Sequence, residues 1–256
     1  MTTFKAVALS AVLASFSVSA ASAATVSVTN VYGAWNSAGP SSAYEIEFDT
    51  NADRTQVWWG RAPSGGQKSG YEFDSVATPF PAVYGTEFML GTFTHFNNPI
   101  YTYPGQGSTT AITEAQLQID FDVMIGTESL SLRQIYTFNH DETPNQGSDG
   151  QCAYEGAPGS GVNVNGCADR VTATLNEAVS DSVVVDGMLY EFNISGFETG
   201  GSTMGYFLTH EHADNTAALV ASYKVSPVPL PAAGWMLLAG IGGLAAMKRR
   251  RKQAEA

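Results

Sequence analysis

The fold class is decided by residues 117–138, which read LQIDFDVMIGTESLSLRQIYTF. From Leu117 to Ile125 every second residue is apolar, so these residues share one face of a β-strand. Gly126 and Thr127 then separate this run from a second β-rich run, as the turn of a hairpin does. The stretch predicts an antiparallel hairpin with one buried face.

The same alternation, interrupted by turn residues, extends from residue 24 to about residue 225. About ten short strands with frequent turns are typical of an all-β, antiparallel β-sandwich of jelly-roll type. One helical turn is expected near residues 113–116. The candidate strands are 25–31, 43–48, 56–60, 86–96, 117–125, 130–138, 171–175, 182–185, 189–194, 206–209 and 218–225.

Two terminal segments flank this domain. Residues 1–23 combine Lys5, a short apolar run and an Ala-Ser-Ala end, which predicts a cleavable signal peptide handled by the Sec machinery and signal peptidase. Residues 226–232 form a linker, residues 233–247 are an apolar helix of near membrane-spanning length, and residues 248–256 are basic. The positive-inside rule then predicts that the domain, 24–225, lies outside the inner membrane and the tail inside.

The C-terminal segment also carries a short motif, Val228-Pro229-Leu230-Pro231-Ala232. Together with the apolar helix and the Arg-rich end, it resembles the VPLPA variant of the PEP-CTERM sorting signal. The resemblance implies an exosortase as partner, a membrane precursor that is transient, and a mature protein at the cell surface or in the extracellular matrix of a biofilm-forming bacterium. A plain C-terminal membrane anchor is the alternative.

The net negative charge of the exported domain restricts the classes of partner that it can bind. The chain has 12 Lys and Arg residues against 24 Asp and Glu residues, and six of the basic residues lie in the terminal segments. An acidic domain is repelled by nucleic acid and other anionic polymers. A neutral exopolysaccharide or a cation remains compatible with this charge.

The two cysteines, Cys152 and Cys167, lie in a Gly- and Asn-rich stretch, 141–169, without periodicity. A long loop in a compact domain is usually functional or mobile. In an exported chain the pair predicts a disulfide that closes this loop. Free thiols or metal ligands are the alternative.

Two patterns are candidate metal sites. His210 and His212 would share one face if residues 206–212 formed a strand, whereas Asp214 falls in an expected turn. Asp49, Asn51 and Asp53 have the spacing that opens a calcium loop. The glycine and glutamate that an EF-hand loop has at its sixth and twelfth positions are replaced by Arg54 and Gly60. The two interpretations that remain are a looser calcium-binding turn and an ordinary Asx-rich turn. No other cofactor is expected.

The sequence contains none of the common local motifs of hydrolases or phosphate-binding enzymes, so we expect a non-enzymatic protein. A glycosidase carboxylate pair has no local signature, which leaves a secreted polysaccharide hydrolase as an alternative. Aromatic residues that could stack on sugar rings are the stronger functional indication. They are Trp35, Trp58, Trp59, Tyr71, Tyr101 and Tyr103, and the adjacent Trp58 and Trp59 must point to opposite faces of a strand.

The strings 57–60 (VWWG), 92–100 (TFTHFNNPI) and 207–211 (FLTHE) resemble the choice-of-anchor K domain. This resemblance implies an extracellular β-rich domain of undetermined activity. Thr94, His95 and Asn97 are expected to form a structural polar cluster before Pro99. The resulting hypothesis is a non-catalytic surface or matrix protein that binds polysaccharide, with a hydrolase or a divalent-cation-binding structural protein as alternatives.

Overall fold

A computed structural model describes residues 24–40, 45–51, 54–101, 111–144, 150–175 and 181–228, together with residues 240 and 243. Within these ranges the protein is all-β, and its strands form two curled antiparallel sheets. The first sheet contains, in spatial order, β13 (Tyr206–Thr209), β9 (Asp169–Leu175), β8 (Glu128–Asp141), β7 (Glu114–Ile125), β1 (Val26–Gly39) and β5 (Phe80–Ala82).

The second sheet contains, in spatial order, β10 (Ser182–Val185), β11 (Met188–Thr199), β14 (Ala213–Pro227), β6 (Phe88–Asn97), β4 (Ser69–Ser75), β3 (Arg54–Trp59) and β2 (Glu47–Thr50), and β12 (Ser202–Met204) pairs with β11. The last strand ends two residues beyond the predicted domain boundary at residue 225.

The hairpin that decides the fold class is confirmed. Strands β7 and β8 pair antiparallel from Ile125 opposite Glu128 onward, around a turn in which Gly126 has φ +61°. A positive φ is accessible to glycine without steric cost, so Gly126 suits this tight turn. Leu117, Ile119, Phe121, Val123 and Ile125 are all at most 3% exposed, as their shared face requires.

Aromatic side chains join the two sheets. Trp35 of the first sheet lies 5.5 Å from Tyr71 and 6.4 Å from Phe93 of the second sheet, measured between ring centroids. Phe93 in turn stacks on Phe138 of the first sheet at 5.2 Å. These rings are fully or nearly fully buried, so they form the centre of one hydrophobic core between the sheets.

The predicted helical turn at residues 113–116 is wrong. Ala115 is fully buried and pairs with Phe138, because the apolar alternation of β7 extends backward beyond Leu117. Three strands, β4, β5 and β12, were not predicted, and each contains Gly, Pro or Ser residues that weaken the β pattern. Of the strand predicted at 43–48, residues 45–48 are described, and β2 begins at Glu47.

Most of the terminal predictions lie outside the described residues. These are the signal peptide 1–23, motif residues 229–232, and the basic tail, together with all of the apolar segment except residues 240 and 243. Val228 is described, and its N–H donates to the Gly187 carbonyl at 2.9 Å. In the described ranges no helix has the length and apolar character needed to cross a membrane.

Candidate functional site

Two histidines and three acidic residues meet in the interior, between the two sheets. We name this group the buried polar centre, and it consists of His95, His140, Glu142, Asp169 and Glu211. One ligand-type atom each from His95, His140 and Asp169 lie within 4.8 Å of one another, and the same holds for the carboxylate oxygens of Glu142, Asp169 and Glu211. Asp169 therefore belongs to both groups.

Strand alternation brings the histidines to this position. His95 lies two residues after Phe93 on β6, and His140 lies two residues after Phe138 on β8. Each histidine therefore faces the same side of its sheet as a core phenylalanine. The His95 and His140 ring centroids are 5.2 Å apart, so the polar centre continues the aromatic core.

His95 is held at one nitrogen. Its Nδ1 lies 2.9 Å from Thr209 Oγ1, whereas its Nε2 is buried and has no hydrogen-bond partner among the described residues. Burial, followed by the neighbouring His140, lowers the pKa of His95 well below its usual value. The ring is therefore neutral and offers an unused polar atom to the interior.

His140 is held at both nitrogens. Its Nδ1 lies 2.5 Å from the Tyr71 hydroxyl, and its Nε2 lies 3.0 Å from Glu142 Oε2. Burial lowers the pKa of His140, although Asp169 and Asp141 act in the opposite direction. Its contact with Glu142 is therefore a hydrogen bond of a neutral ring rather than an ion pair.

The three carboxyl groups hold their protons more tightly than usual. Burial raises the pKa of Glu142 to about 7 and, as the largest cause, that of Glu211 to about 7. Burial, and then the charge of Glu142, raise the pKa of Asp169 well above its usual value. Three converging acids that are largely buried need either protons or a cation to offset their mutual repulsion.

Neighbouring amides fix the carboxylates in place. The Asn97 side-chain N–H donates to Asp169 Oδ2 at 2.9 Å and to Glu211 Oε1 at 3.3 Å. The Thr143 backbone N–H donates to Asp169 Oδ1 at 2.7 Å. Asp169 thus accepts a hydrogen bond at each oxygen, which sets its orientation.

The cysteine loop closes over this arrangement. Cys152 and Cys167 form a disulfide with Sγ atoms 2.14 Å apart, in agreement with the pairing expected from the sequence. The Thr143 hydroxyl contacts the carbonyls of Cys167 and Ala168 at 3.0 and 3.1 Å, immediately before Asp169. The disulfide therefore fixes the chain two residues from the central carboxylate.

The predicted polar cluster of Thr94, His95 and Asn97 is wrong in one member. His95 and Asn97 reach the buried polar centre, but Thr94 lies between them and faces the other side of β6. Thr94 pairs instead with Glu72 and Thr216 in the neighbouring strands.

The strand that would have placed His210 and His212 on one face as metal ligands does not extend to these residues. Strand β13 ends at Thr209, and residues 210–212 form a turn in which His212 has φ +55°. The turn is closed by Asn215, whose side chain bonds both the N–H and the carbonyl of His210 at 2.7 and 2.9 Å. The expected turn at Asp214 is instead the beginning of β14, and Glu211, between the two histidines, is the residue that reaches the centre.

The predicted calcium turn joins β2 to β3. Asp49 is exposed opposite Gln56, and the Asn51 N–H donates to the Arg54 carbonyl at 2.8 Å as in a hairpin turn. Asp53 lies outside the described residues. Among the described residues, Asp49 belongs to neither of the two groups of His, Cys, Asp and Glu side chains that converge closely enough to hold a metal.

The aromatic residues divide between the core and the surface. Trp35, Trp59 and Tyr71 are at most 3% exposed and pack in the core, so they cannot stack on a sugar. Tyr101 is half exposed, and Tyr103 lies outside the described residues.

Trp58 has a different environment from its neighbour Trp59. It is half-buried on the outer face of the second sheet, where its ring stacks on Phe96 with centroids 5.0 Å apart and planes 25° apart. A Cβ atom on Gly70, which lies between them, would collide with the Trp58 ring. Trp58, Gly70 and Phe96 therefore form one surface, the outer aromatic patch.

No known protein family matches the chain, and a search of curated proteins finds no match. Functional assignment therefore depends on the buried polar centre, the outer aromatic patch and the sequence signals. The patch was indicated in part by the Trp58-Trp59 pair. His140, Glu142, Asp169 and Glu211 were missed. His140 lies two residues beyond the predicted end of its strand, and each acid lies at a strand end or in a turn, where alternation does not predict which way a side chain points.

Proposed function

We propose that this chain is an exported, non-enzymatic protein that binds neutral polysaccharide at the cell surface or in the extracellular matrix. Its sorting signal would be processed by an exosortase, and its domain would be a jelly-roll-type β-sandwich. The disulfide between Cys152 and Cys167 supports an oxidising, extracytoplasmic location.

The outer aromatic patch is the observation that carries the binding proposal. Along one row of the second sheet the order is Glu47, Trp58, Gly70, Phe96 and Asp214. Two partly accessible rings lie at the middle of this row, and an exposed carboxylate lies at each end. Rings of this kind contact the apolar faces of sugars, while carboxylates accept hydrogen bonds from hydroxyl groups.

Burial of the acid and base groups supports binding rather than hydrolysis. His95 and Asp169 are 0% exposed and Glu211 is 1% exposed. A glycosidase needs two carboxyl groups that flank an accessible glycosidic bond. A polymer cannot reach the buried polar centre without opening the core.

The binding proposal is tested with the full chain and an insoluble neutral glucan, cellulose. Trp58→Ala should weaken retention roughly 2- to 12-fold, because loss of one aromatic contact is worth about 0.5–1.5 kcal/mol. Tyr84→Ala is the matched control, since Tyr84 is 60% exposed and lies outside the patch. Equal retention of Trp58→Ala and wild type, or an equal loss in Tyr84→Ala, would contradict the proposal. Release of reducing sugar would favour the hydrolase instead.

The sorting proposal has a separate test. Intact-mass measurement on cell-surface material should find a chain that begins at Ala24 and lacks residues 235–252. Replacement of Pro229 and Pro231 by alanine should leave the tail attached, because the motif is then lost. A wild-type mature protein that retains the tail would reject exosortase processing.

A further inference from the structure

We propose that the buried polar centre is a binding site for a divalent first-row transition metal of the Zn²⁺ type. The ligands are one ring nitrogen each from His95 and His140 and a carboxylate oxygen of Asp169, with Glu142 and Glu211 as adjacent carboxylates. This site is independent of the outer aromatic patch and of polysaccharide binding.

The spacing of the ligand atoms fits one ion. Atoms about 2.0–2.2 Å from a shared Zn²⁺ lie roughly 3.3–4.2 Å from one another. The three atoms from His95, His140 and Asp169 lie within 4.8 Å of one another, which is close to the spacing that a common metal requires. They come from β6, β8 and β9, and therefore from both sheets.

An independent sign of a ligand is the unpaired nitrogen of His95. Its Nε2 is fully buried without a hydrogen-bond partner among the described residues, in an interior where polar atoms are normally paired. Within the same described ranges, neither Glu142 nor Asp169 forms an ion pair with Lys or Arg. A cation in the centre would offset the carboxylate charges and satisfy such a nitrogen.

The surrounding contacts resemble the support that metal ligands receive. Thr209 holds His95, and the Tyr71 hydroxyl holds His140. Asn97 and the Thr143 N–H each hold one oxygen of Asp169. Outer partners of this kind fix the tautomer and the orientation of ligating side chains.

The donor set selects the metal class. Imidazole nitrogens suit Zn²⁺, Co²⁺, Ni²⁺ and Cu²⁺, whereas Ca²⁺ takes six to eight oxygen ligands. A buried centre with two histidines therefore favours the transition metals over the calcium that the acidic sequence suggested.

The experiment uses the full chain after removal of metal with a chelator. Titration with Zn²⁺ should show one tight equivalent per chain, and Co²⁺ should give a visible d–d absorption band that Zn²⁺ abolishes. His95→Gln and Asp169→Asn should each weaken Zn²⁺ binding by more than about tenfold, the lower end of the loss seen for mere outer-shell changes. His212→Gln is the matched control, because His212 is exposed in the turn beside Glu211.

Three results would overturn the proposal. The first is a wild-type chain that takes up no Zn²⁺ and shows no Co²⁺ band, a measurement that needs no variant. The second is undiminished binding in folded His95→Gln or Asp169→Asn, with folding verified by far-UV circular dichroism. The third is an equal loss in His212→Gln. Cellulose retention is measured separately, so failure of the metal site does not bear on the outer aromatic patch.

Discussion

Trp58 and Trp59 are adjacent residues of one type on one strand, and the structure predicts very different costs for their removal. Trp59 is 0% exposed, and its ring lies 4.7 Å from Tyr71, 5.4 Å from His140 and 5.9 Å from His95 between centroids. Trp58 is half-buried and stacks on one ring, that of Phe96. The perturbation is Trp59→Ala compared with Trp58→Ala.

The magnitude follows from what each side chain buries. Truncation of a fully buried Trp costs about 3–5 kcal/mol, because a cavity remains where the surrounding rings cannot collapse. Trp58→Ala leaves an open surface that water fills, so only the partial burial and the stacking are lost, about 1–2 kcal/mol. The difference of about 2–3 kcal/mol corresponds to roughly 4–12 °C in Tm for a domain of this size.

The assay is urea and thermal unfolding followed by far-UV circular dichroism, since tryptophan fluorescence itself changes in both variants. A common m-value would show that the unfolded states are comparable. If Trp58→Ala proves as destabilising as Trp59→Ala, the assignment of the two faces of β3 is wrong. Weaker cellulose retention of Trp58→Ala could then reflect unfolding, so the binding test requires that this variant is folded.

Three further predictions concern the loop and two glycines. Replacement of Cys152 and Cys167 by serine should lower the free energy of unfolding by about 3 kcal/mol. It should also speed the loss of Zn²⁺ to a competing chelator. An unchanged rate of Zn²⁺ release would show that the disulfide does not stabilise the metal site. Gly70→Ala should displace the Trp58 ring and reduce cellulose retention, and a pull-down equal to wild type would contradict this packing. Gly196→Ala should lower stability by more than about 1 kcal/mol, because φ is +145° and its Cβ would meet a backbone carbonyl, and an unchanged thermal melt would refute the backbone assignment.

The fold class was predictable because apolar alternation is a local property. The run from Leu117 to Ile125 specifies a buried face without reference to any other part of the chain, and Gly126 specifies the turn. The spatial order of the strands was not predictable in this way. The pairing of β1 with β7, for example, joins Trp35 to Leu117 across more than eighty residues, and single-strand patterns contain no information about such partners.

One member of the buried polar centre, His95, was predictable from the sequence. His95 lies on a clear strand, and the sequence grouped it with Asn97, which holds Asp169 and Glu211. The three acids carry no periodic signal: Glu142 follows the end of β8, Asp169 begins β9, and Glu211 lies in a turn. The three acids converge because β8, β9 and β13 pair side by side, which brings the relevant ends of these strands together.

The outer aromatic patch lies on β3, β4 and β6, and the inward faces of the same three strands carry His95 and two rings that pack against the buried polar centre. On β3 the outward residue is Trp58 and the inward residue is Trp59; β4 has Gly70 outward and Tyr71 inward; β6 has Phe96 outward and His95 inward. Because consecutive residues alternate between faces, a change of one sequence position on β6 moves a substitution from Phe96 of the patch to His95 of the metal centre. Trp58→Ala should therefore leave Zn²⁺ binding intact, and His95→Gln should leave cellulose retention intact as long as the sheet is folded. A one-residue shift in the register of β3, β4 or β6 would exchange these roles. The separation of the two activities by adjacent substitutions thus tests the strand assignment and both sites together.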